Sequence, residues 1–438
     1  MTRADFPESG DGPLWQRLLF RYVFAYLLLY MAPWNWFFRI PGVPSVTRYY
    51  RVALDRAVHA ANANLFHVRA TLVQPNGSGD TSWSWTQLWL FLTIAAVASL
   101  IWSALDRRRT SYPRLGYWLR TLMRYYLAMH ALGYGIIKLF ALQMPFPTLS
   151  QLATPLGDFL PMRLSWMFLG YSVPYQTFSG IMETAAGLLL LNRRTTTLGL
   201  FAATGAFLNI VLINLSYDVP VKLFASHLLF CAVCLLLWDS RRLVGLLVLN
   251  RPAGATALYE PYFRTPWRRR TAFAAKVLFI VLMLILPFME ARARYKVLVT
   301  QPPARPFAAG VYDVVRYVVN RDTVPALLAD SVRWKDVIFD NVGQGSVNTT
   351  DPVFWRRYGR GYFRFKADTV TRSVVVWKTS TALDSTFLFT MRYELPDSSR
   401  IRLWTALRND SLYVELKRTA RHFQLAERQF HWLSEYNR

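Results

Sequence analysis

The sequence predicts an all-α membrane helix bundle of about seven transmembrane helices, followed by a C-terminal extracytoplasmic antiparallel β-rich domain. Three observations carry that prediction. Of 438 residues, 53% are hydrophobic and 18% charged, and mean hydropathy is +0.18, which excludes disordered and collagenous chains and disfavours a soluble one. The apolar residues gather into seven runs, each near the ~20 residues that a helix needs to cross a bilayer. Beyond residue 291 the pattern changes to alternation with period two.

Taken in order, the first run, Leu18 to Phe38, is too long and aromatic for a cleaved leader and has no small-residue cleavage site, so it reads as a retained helix. Further runs cover Thr86 to Leu105, Tyr117 to Leu142, Tyr175 to Leu191, Thr196 to Leu215, Val221 to Trp238 and Thr271 to Met289. Short cytoplasmic loops retain Lys and Arg. Arg107, Arg108, Arg109 and Arg114 share one loop, Arg193 and Arg194 another, and Arg241, Arg242, Arg251, Arg264 and Arg268 to Arg270 a third, while the intervening loops hold only Arg163 or nothing. The expected placement is therefore a bacterial cytoplasmic (inner) membrane, with the N-terminus inside and the C-terminal domain outside. Residues 39 to 85 fit less well, because they should be outside yet contain Arg39, Arg48, Arg51, Arg56 and Arg69.

The expected division is a two-span region with an extracytoplasmic loop (1–116), a four-helix membrane core (117–240), a cytoplasmic loop with the seventh span (241–290) and the β-rich domain (291–438). In that last part Phe387, Phe389, Met391 and Tyr393 alternate with Leu388, Thr390, Arg392 and Glu394. Ile401 to Leu407 and Leu412 to Leu416 alternate likewise around the turn residues Asn409 and Asp410, which predicts a hairpin. Strand patterns also occur at Tyr362 to Phe365 and Val374 to Trp377, after a polar lead-in around Pro302 to Pro306.

The formal charge is +25, with 51 Lys plus Arg against 26 Asp plus Glu. Residues 291 to 438 hold 24 basic and 14 acidic side chains. Arg356, Arg357, Arg360, Arg364 and Lys366 interleave with Tyr358, Tyr362, Phe363 and Phe365, a pattern that can bind nucleic acid. A domain outside the cytoplasm meets little nucleic acid, so the arginines read as a solvated face, with membrane lipid headgroups the next partner class and nucleic acid not expected.

Chemistry is sought among polar groups inside the spans, where a charge costs about 2.5 to 3.5 kcal/mol by insertion scales. Counted from the predicted outer helix ends, Lys138 lies roughly 6 Å down, Glu183 roughly 12 Å, and Asn209 and His227 roughly 9 Å. Four successive spans could collect these four residues into one outward-facing intramembrane polar site. Gly180, Thr184 and Gly187 are helical neighbours of Glu183 and let another helix approach closely. Glu183 then either pairs with Lys138 to fix helix register, or is protonated and hydrogen-bonded, or relays a proton to a substrate group. His227 and Asn209 each have a plainer reading as hydrogen-bonded packing groups, His130 is unassigned, and no metal site is predicted. The two cysteines, Cys231 and Cys234, form a CxxC, but their depth near mid-bilayer disfavours thiolate chemistry and favours small apolar packing.

Gly135-Ile136-Ile137-Lys138, the Pro-rich stretch 145 to 161, and Gly180-Ile181-Met182-Glu183 followed by Gly187, Leu188 to Leu190 and Arg193 resemble the pattern of DoxX-like bacterial membrane proteins over about residues 117 to 240. That resemblance implies a four-helix membrane unit, with Lys138 and Glu183 as the matching positions. Relatives in that family include a subunit of a thiosulfate:quinone oxidoreductase. It further implies an accessory or quinone-linked component of a membrane redox system, with a redox partner subunit and quinone as the candidate cofactor. No flavin, haem, iron-sulfur or zinc motif supports an autonomous oxidoreductase. The alternatives are a membrane binding or transport protein for a small anionic or lipid-like ligand, and an assembly module without a ligand.

Overall fold

A computed structural model describes residues 13–36, 46–75, 79–254, 265–300, 306–327, 332–341, 343–378, 386–407, 410–428 and 432–433. Arg39, Arg264, Asn409 and the stretch 302–305, which entered the sequence reading, lie outside the described residues. The helices run α1 (Leu14–Met31), α2 (Val46–Ala61), α3 (Ser82–Leu105), α4 (Pro113–Leu139), α5 (Leu149–Leu152), α6 (Pro161–Tyr171), α7 (Val173–Leu191), α8 (Thr196–Ser216), α9 (Lys222–Leu237), α10 (Ser240–Leu247) and α11 (Pro266–Leu298). The strands follow as β1 (Gly310–Val319), β2 (Asp322–Thr323), β3 (Asp336–Phe339), β4 (Gln344–Val347), β5 (Trp355–Arg357), β6 (Arg360–Asp368), β7 (Ser373–Lys378), β8 (Thr386–Asp397), β9 (Arg400–Leu407) and β10 (Asp410–Arg418).

All seven predicted apolar runs fall on helices: α1, α3, α4, α7, α8, α9 and α11. Among the described residues, length and apolarity together qualify three of them to cross a membrane, namely α3, α8 and α11. A fourth is reached if α9 and α10, bent by 78°, form one span. The helices that fall short carry polar cargo: α1 has Arg17 and Arg21, α4 has Arg114, Arg120, Arg124 and Lys138, and α7 has Gln176 and Glu183. Of the seven crossings expected, three, or four with the bent pair, meet length and apolarity among the described residues.

The chain divides into two compact units, Met1–Gln143 with Pro174–Arg292, and Met144–Val173 with Ala293–Arg438. The first unit is helical. Its core gathers Leu27, Phe91, Leu127, Leu132, Phe207 and Phe279 among others. The segment 39 to 85, awkward as an arginine-bearing outer loop, contains α2, which turns Tyr50, Leu54, Val58 and Ala61 inward and Arg48, Arg51 and Arg56 outward. Apolar residues recurring at three- and four-residue spacing make one face buried and leave the arginines exposed.

The second unit is an antiparallel barrel. Eight strands pair in the order β10-β9-β8-β7-β6-β4-β3-β1, and β10 also pairs with β1, which closes the ring. β2 and β5 are short additions paired with β1 and β6. An eight-stranded barrel is just wide enough for side chains to fill it, and here Tyr312, Phe339, Phe363, Phe365, Val376 and Phe389 do so. The predicted alternation holds on β8 for Phe389, Met391 and Tyr393, all buried, whereas Phe387 is exposed because the β7–β8 register slips between Val376 and Trp377. Ile401, Leu403, Leu412, Val414 and Leu416 point inward as the hairpin pattern predicts.

The sequence division at residue 291 omitted a part of this unit. Met144–Val173, placed by the sequence within the membrane core 117–240, belongs to it. α5 opens on a capping box at Thr148 and Gln151, and Leu149 and Ala153 pack with Val311 and Ile338. Four residues of helix leave no periodicity to detect, and the partners lie some 190 positions away.

Candidate functional site

Glycine builds the first polar site. Gly135 on α4 lies so close to α7 that a Cβ there would come 2.5 Å from Thr184 Oγ1 and 2.7 Å from its backbone nitrogen. At Gly180 a Cβ would come 2.6 Å from the Leu139 nitrogen, and at Gly187 2.7 Å from Leu132 Cγ. Backbones this close bring Lys138 and Glu183 together as a buried ion pair, with Lys138 Nζ donating to Glu183 Oε1. Lys138 is 6% exposed and Glu183 2%. Among the described residues the other carboxylate oxygen, Oε2, is buried and accepts no hydrogen bond. The small residues around Glu183 therefore do what their spacing predicts.

A second polar site lies between α1, α3 and α9. His227 Nδ1 faces the Leu223 carbonyl at 2.6 Å and must carry the proton there, which leaves Nε2 to accept from the Tyr26 hydroxyl. The imidazole stacks on Tyr30 with centroids 3.8 Å apart. Both rings form the wall of a partly open cavity of about 100 Å3, whose other polar lining is Asp80, Ser84 and Gln87 and whose apolar lining includes Phe91 and Phe224. Asp80 accepts from the backbone nitrogens of Lys222 and Leu223, tying the start of α9 to the start of α3. Behind Phe224 stand His130, at 4.8 Å edge-on, and Tyr134, one turn before Lys138.

The four predicted site residues are thus not gathered into one cavity. Lys138 and Glu183 meet, and His227 occupies a separate pocket that neither of them lines. Asn209 is exposed on α8, which buries Gly199, Ala203, Phe207, Val211 and Asn214 on its opposite side. The count along each helix took no account of rotation about its axis, which turns Asn209 away from the buried side of α8. Cys231 is fully buried among apolar core residues, and both cysteines are free thiols.

Sequence reasoning missed Tyr26, Tyr30, Asp80 and Arg21. The tyrosines recur at four-residue spacing from Tyr22, a stripe visible in the sequence but read as part of an aromatic span. Arg21 is buried inside α1, where its guanidinium donates to Ser103 Oγ, the Asp106 carbonyl and the Tyr112 hydroxyl.

In the barrel unit, Ser150 donates from its backbone nitrogen and its hydroxyl to the two oxygens of Asp340, at 3.0 and 2.6 Å. Ser346 donates to the Ser150 hydroxyl, Arg360 Nε donates to Ser346, and Arg360 pairs with Asp336. Burial raises the Asp340 carboxyl above its ordinary range, against the lowering effect of the Ser150 donors. The basic-aromatic stretch is accordingly not one solvated face: Arg360 is buried in this network and Phe363 and Phe365 are inside the barrel. Tyr358 and Gly359 both have positive φ, as a two-residue turn between β5 and β6 requires, and the Tyr358 hydroxyl accepts from Arg163 at 3.1 Å.

Fold and sites together define a membrane-associated helical protein that carries a closed antiparallel β-barrel. The uncharacterized protein YwoB of Bacillus subtilis (strain 168) is 33% identical to this chain over 123 residues, which are 28% of this chain and 78% of YwoB. The chain belongs to the family of that protein. No family model matches the chain, and no solved structure matches it.

Proposed function

We propose that the protein is a multi-pass inner-membrane protein that binds the headgroup of a quinone at the Tyr30–His227 pocket, as an accessory component of a membrane redox system. The observation that carries this reading is the stacked Tyr30–His227 pair on the wall of a partly open cavity with Asp80, Ser84 and Gln87. Aromatic faces suit a flat ring, and serine and amide donors suit its carbonyl oxygens. At about 100 Å3 the pocket is somewhat smaller than the ~150 Å3 cavity that admits benzene, so it takes the edge of one ring rather than a whole lipid. The DoxX-like pattern at Gly135 to Lys138 and Gly180 to Gly187 agrees with this reading.

The membrane reading is supported by counting crossings. The chain leaves the barrel unit at Val173 and re-enters it at Ala293, so an even number of crossings must separate two pieces that lie on one side. α8, α11 and the bent α9–α10 pair supply three, and α7 supplies the fourth, its hydropathy lowered by Gln176 and Glu183. Three helices before Met144, α1, α3 and α4, then put the barrel outside when the arginine-rich loops are inside.

The test is a native mass spectrum of the protein purified in nanodiscs. A quinone adduct on the wild type that disappears in His227→Leu is the expected result, and a wild-type spectrum with phospholipid only or no small molecule refutes it.

A further inference from the structure

One apolar surface belongs to neither site. From Leu156 to Phe168 the segment leading into and through α6 presents Leu156, Leu160, Leu164 and Phe168 at four-residue spacing, and these are 70%, 61%, 42% and 74% exposed. Tyr171 continues the stripe. On its other side α6 is fixed to its own unit: Ser165 and Gly170 are buried, and a Cβ on Gly170 would come 2.6 Å from the Pro145 carbonyl oxygen. Arg163 is its one charged residue and is held by Tyr358. Leu164 and Phe168 on the seated helix, with Leu156 in the 3-10 turn and Leu160 in the extended residue before it, make a group of four large apolar side chains that is not scattered surface apolarity.

The covalent tethers say what covers it. Tyr171 is two residues from Val173, where α7 begins, a reach of about 7 Å at full extension. Met144 is five residues beyond Leu139, where α4 ends. We infer that α6 lies in the outer surface of the bilayer, with Leu156, Leu160, Leu164 and Phe168 among the upper acyl chains and Trp166 and Tyr171 at headgroup level. Amphipathic helices and aromatic side chains take up this position at the membrane interface. The inference rests on the reading of α4 and α7 as membrane helices; it adds that the barrel unit has a lipid-binding face of its own.

The experiment uses the full chain with Cys231→Ser and Cys234→Ser, in nanodiscs of phosphatidylcholine and phosphatidylglycerol. A nitroxide is attached in turn at Phe168→Cys, at Leu160→Cys as a second position on the stripe, at the exposed Leu100→Cys of α3, and at Val370→Cys, in a barrel turn and 90% exposed. Oxygen and a water-soluble nickel chelate report lipid and water contact. The ratio of oxygen to nickel accessibility at positions 168 and 160 is expected to exceed that at 370 several-fold and to approach that at 100. Water-like values at 168 and 160 with a lipid-like value at 100 overturn the inference alone, whereas a water-like value at 100 overturns the membrane reading beneath it. Labels at 168 and 160 screened from both reagents mean that a protein covers the stripe, and that result also overturns the lipid assignment.

Discussion

Replacing Lys138 by Met and Glu183 by Leu, singly and together, separates the structural from the chemical role of the buried pair. Lys138→Met leaves a carboxylate that is 2% exposed and has one oxygen already without a donor. Glu183→Leu leaves an ammonium group 6% exposed with its acceptor gone. Loss of one member of a buried pair costs about 3 to 5 kcal/mol. At roughly 2 to 4 °C per kcal/mol for a unit of this size, each single variant should melt about 6 to 20 °C lower. The double variant removes both charges and substitutes side chains of similar volume, so its loss should stay within about 1.5 kcal/mol. Thermal unfolding of all four proteins in the same nanodiscs gives the coupling. A value below about 0.5 kcal/mol would mean that the two residues do not depend on each other, against the contact described. A double variant that folds and keeps the quinone adduct assigns the pair to helix register; one that folds and loses it means that the pair, which does not line that pocket, acts on it through the bundle.

Gly135→Ala and Gly180→Ala force a Cβ to within 2.5 to 2.6 Å of the facing helix, and each should cost about 1 to 3 kcal/mol in the same melting assay, with Gly133→Ala, where a Cβ meets nothing within 4 Å, as the neutral control. Ser150→Ala removes the hydroxyl donor to Asp340 and the acceptor of Ser346, a loss of about 1 to 3 kcal/mol that limited proteolysis of the barrel unit should register as faster cleavage. Because burial raises the Asp340 carboxyl above its ordinary 3.8, the folded state holds that proton to higher pH than the unfolded state does, so the stability contributed by this group falls as pH rises through the window above 3.8. Asp340→Asn should flatten that part of the stability–pH curve, and a wild type that gains stability relative to the variant over the same rise contradicts the sign. Finally, an impermeant maleimide should label Gly157→Cys and Val370→Cys from the same, outer face of intact cells, and opposite sidedness would refute the crossing count.

What was legible in the sequence was whatever repeats along one element. Apolar runs located seven helices, period two located β6 to β10, and the Gly180, Thr184, Gly187 spacing marked the face on which Glu183 meets Lys138. What was not legible needed a second element. Asn209 lies on the side of α8 away from the core, which only the buried row Gly199, Ala203, Phe207 and Val211 reveals. β1, β3 and β4 carry the closure of the barrel, but β3 and β4 are four residues each, too short for a periodic signal. The pocket around His227 takes Tyr30, Gln87 and His227 from three helices, so no local pattern announces it.

The second unit is assembled from pieces made far apart in time. Residues 144 to 173 leave the ribosome some 140 positions before β1 and some 240 before β10, whose pairing with β1 closes the ring. Until then Ser150 has no Asp340 and Leu149 has no Ile338, and long-range closures of this kind are slow to form. The partners of the early segment, Asp340 and Ile338, are therefore made only after the five helices α7 to α11. It follows that this barrel is not a detachable module: cut out as residues 293 to 438 it would lose the α5 contacts to Val311, Ile338 and Asp340, and a soluble version would need the 144 to 173 segment spliced onto it.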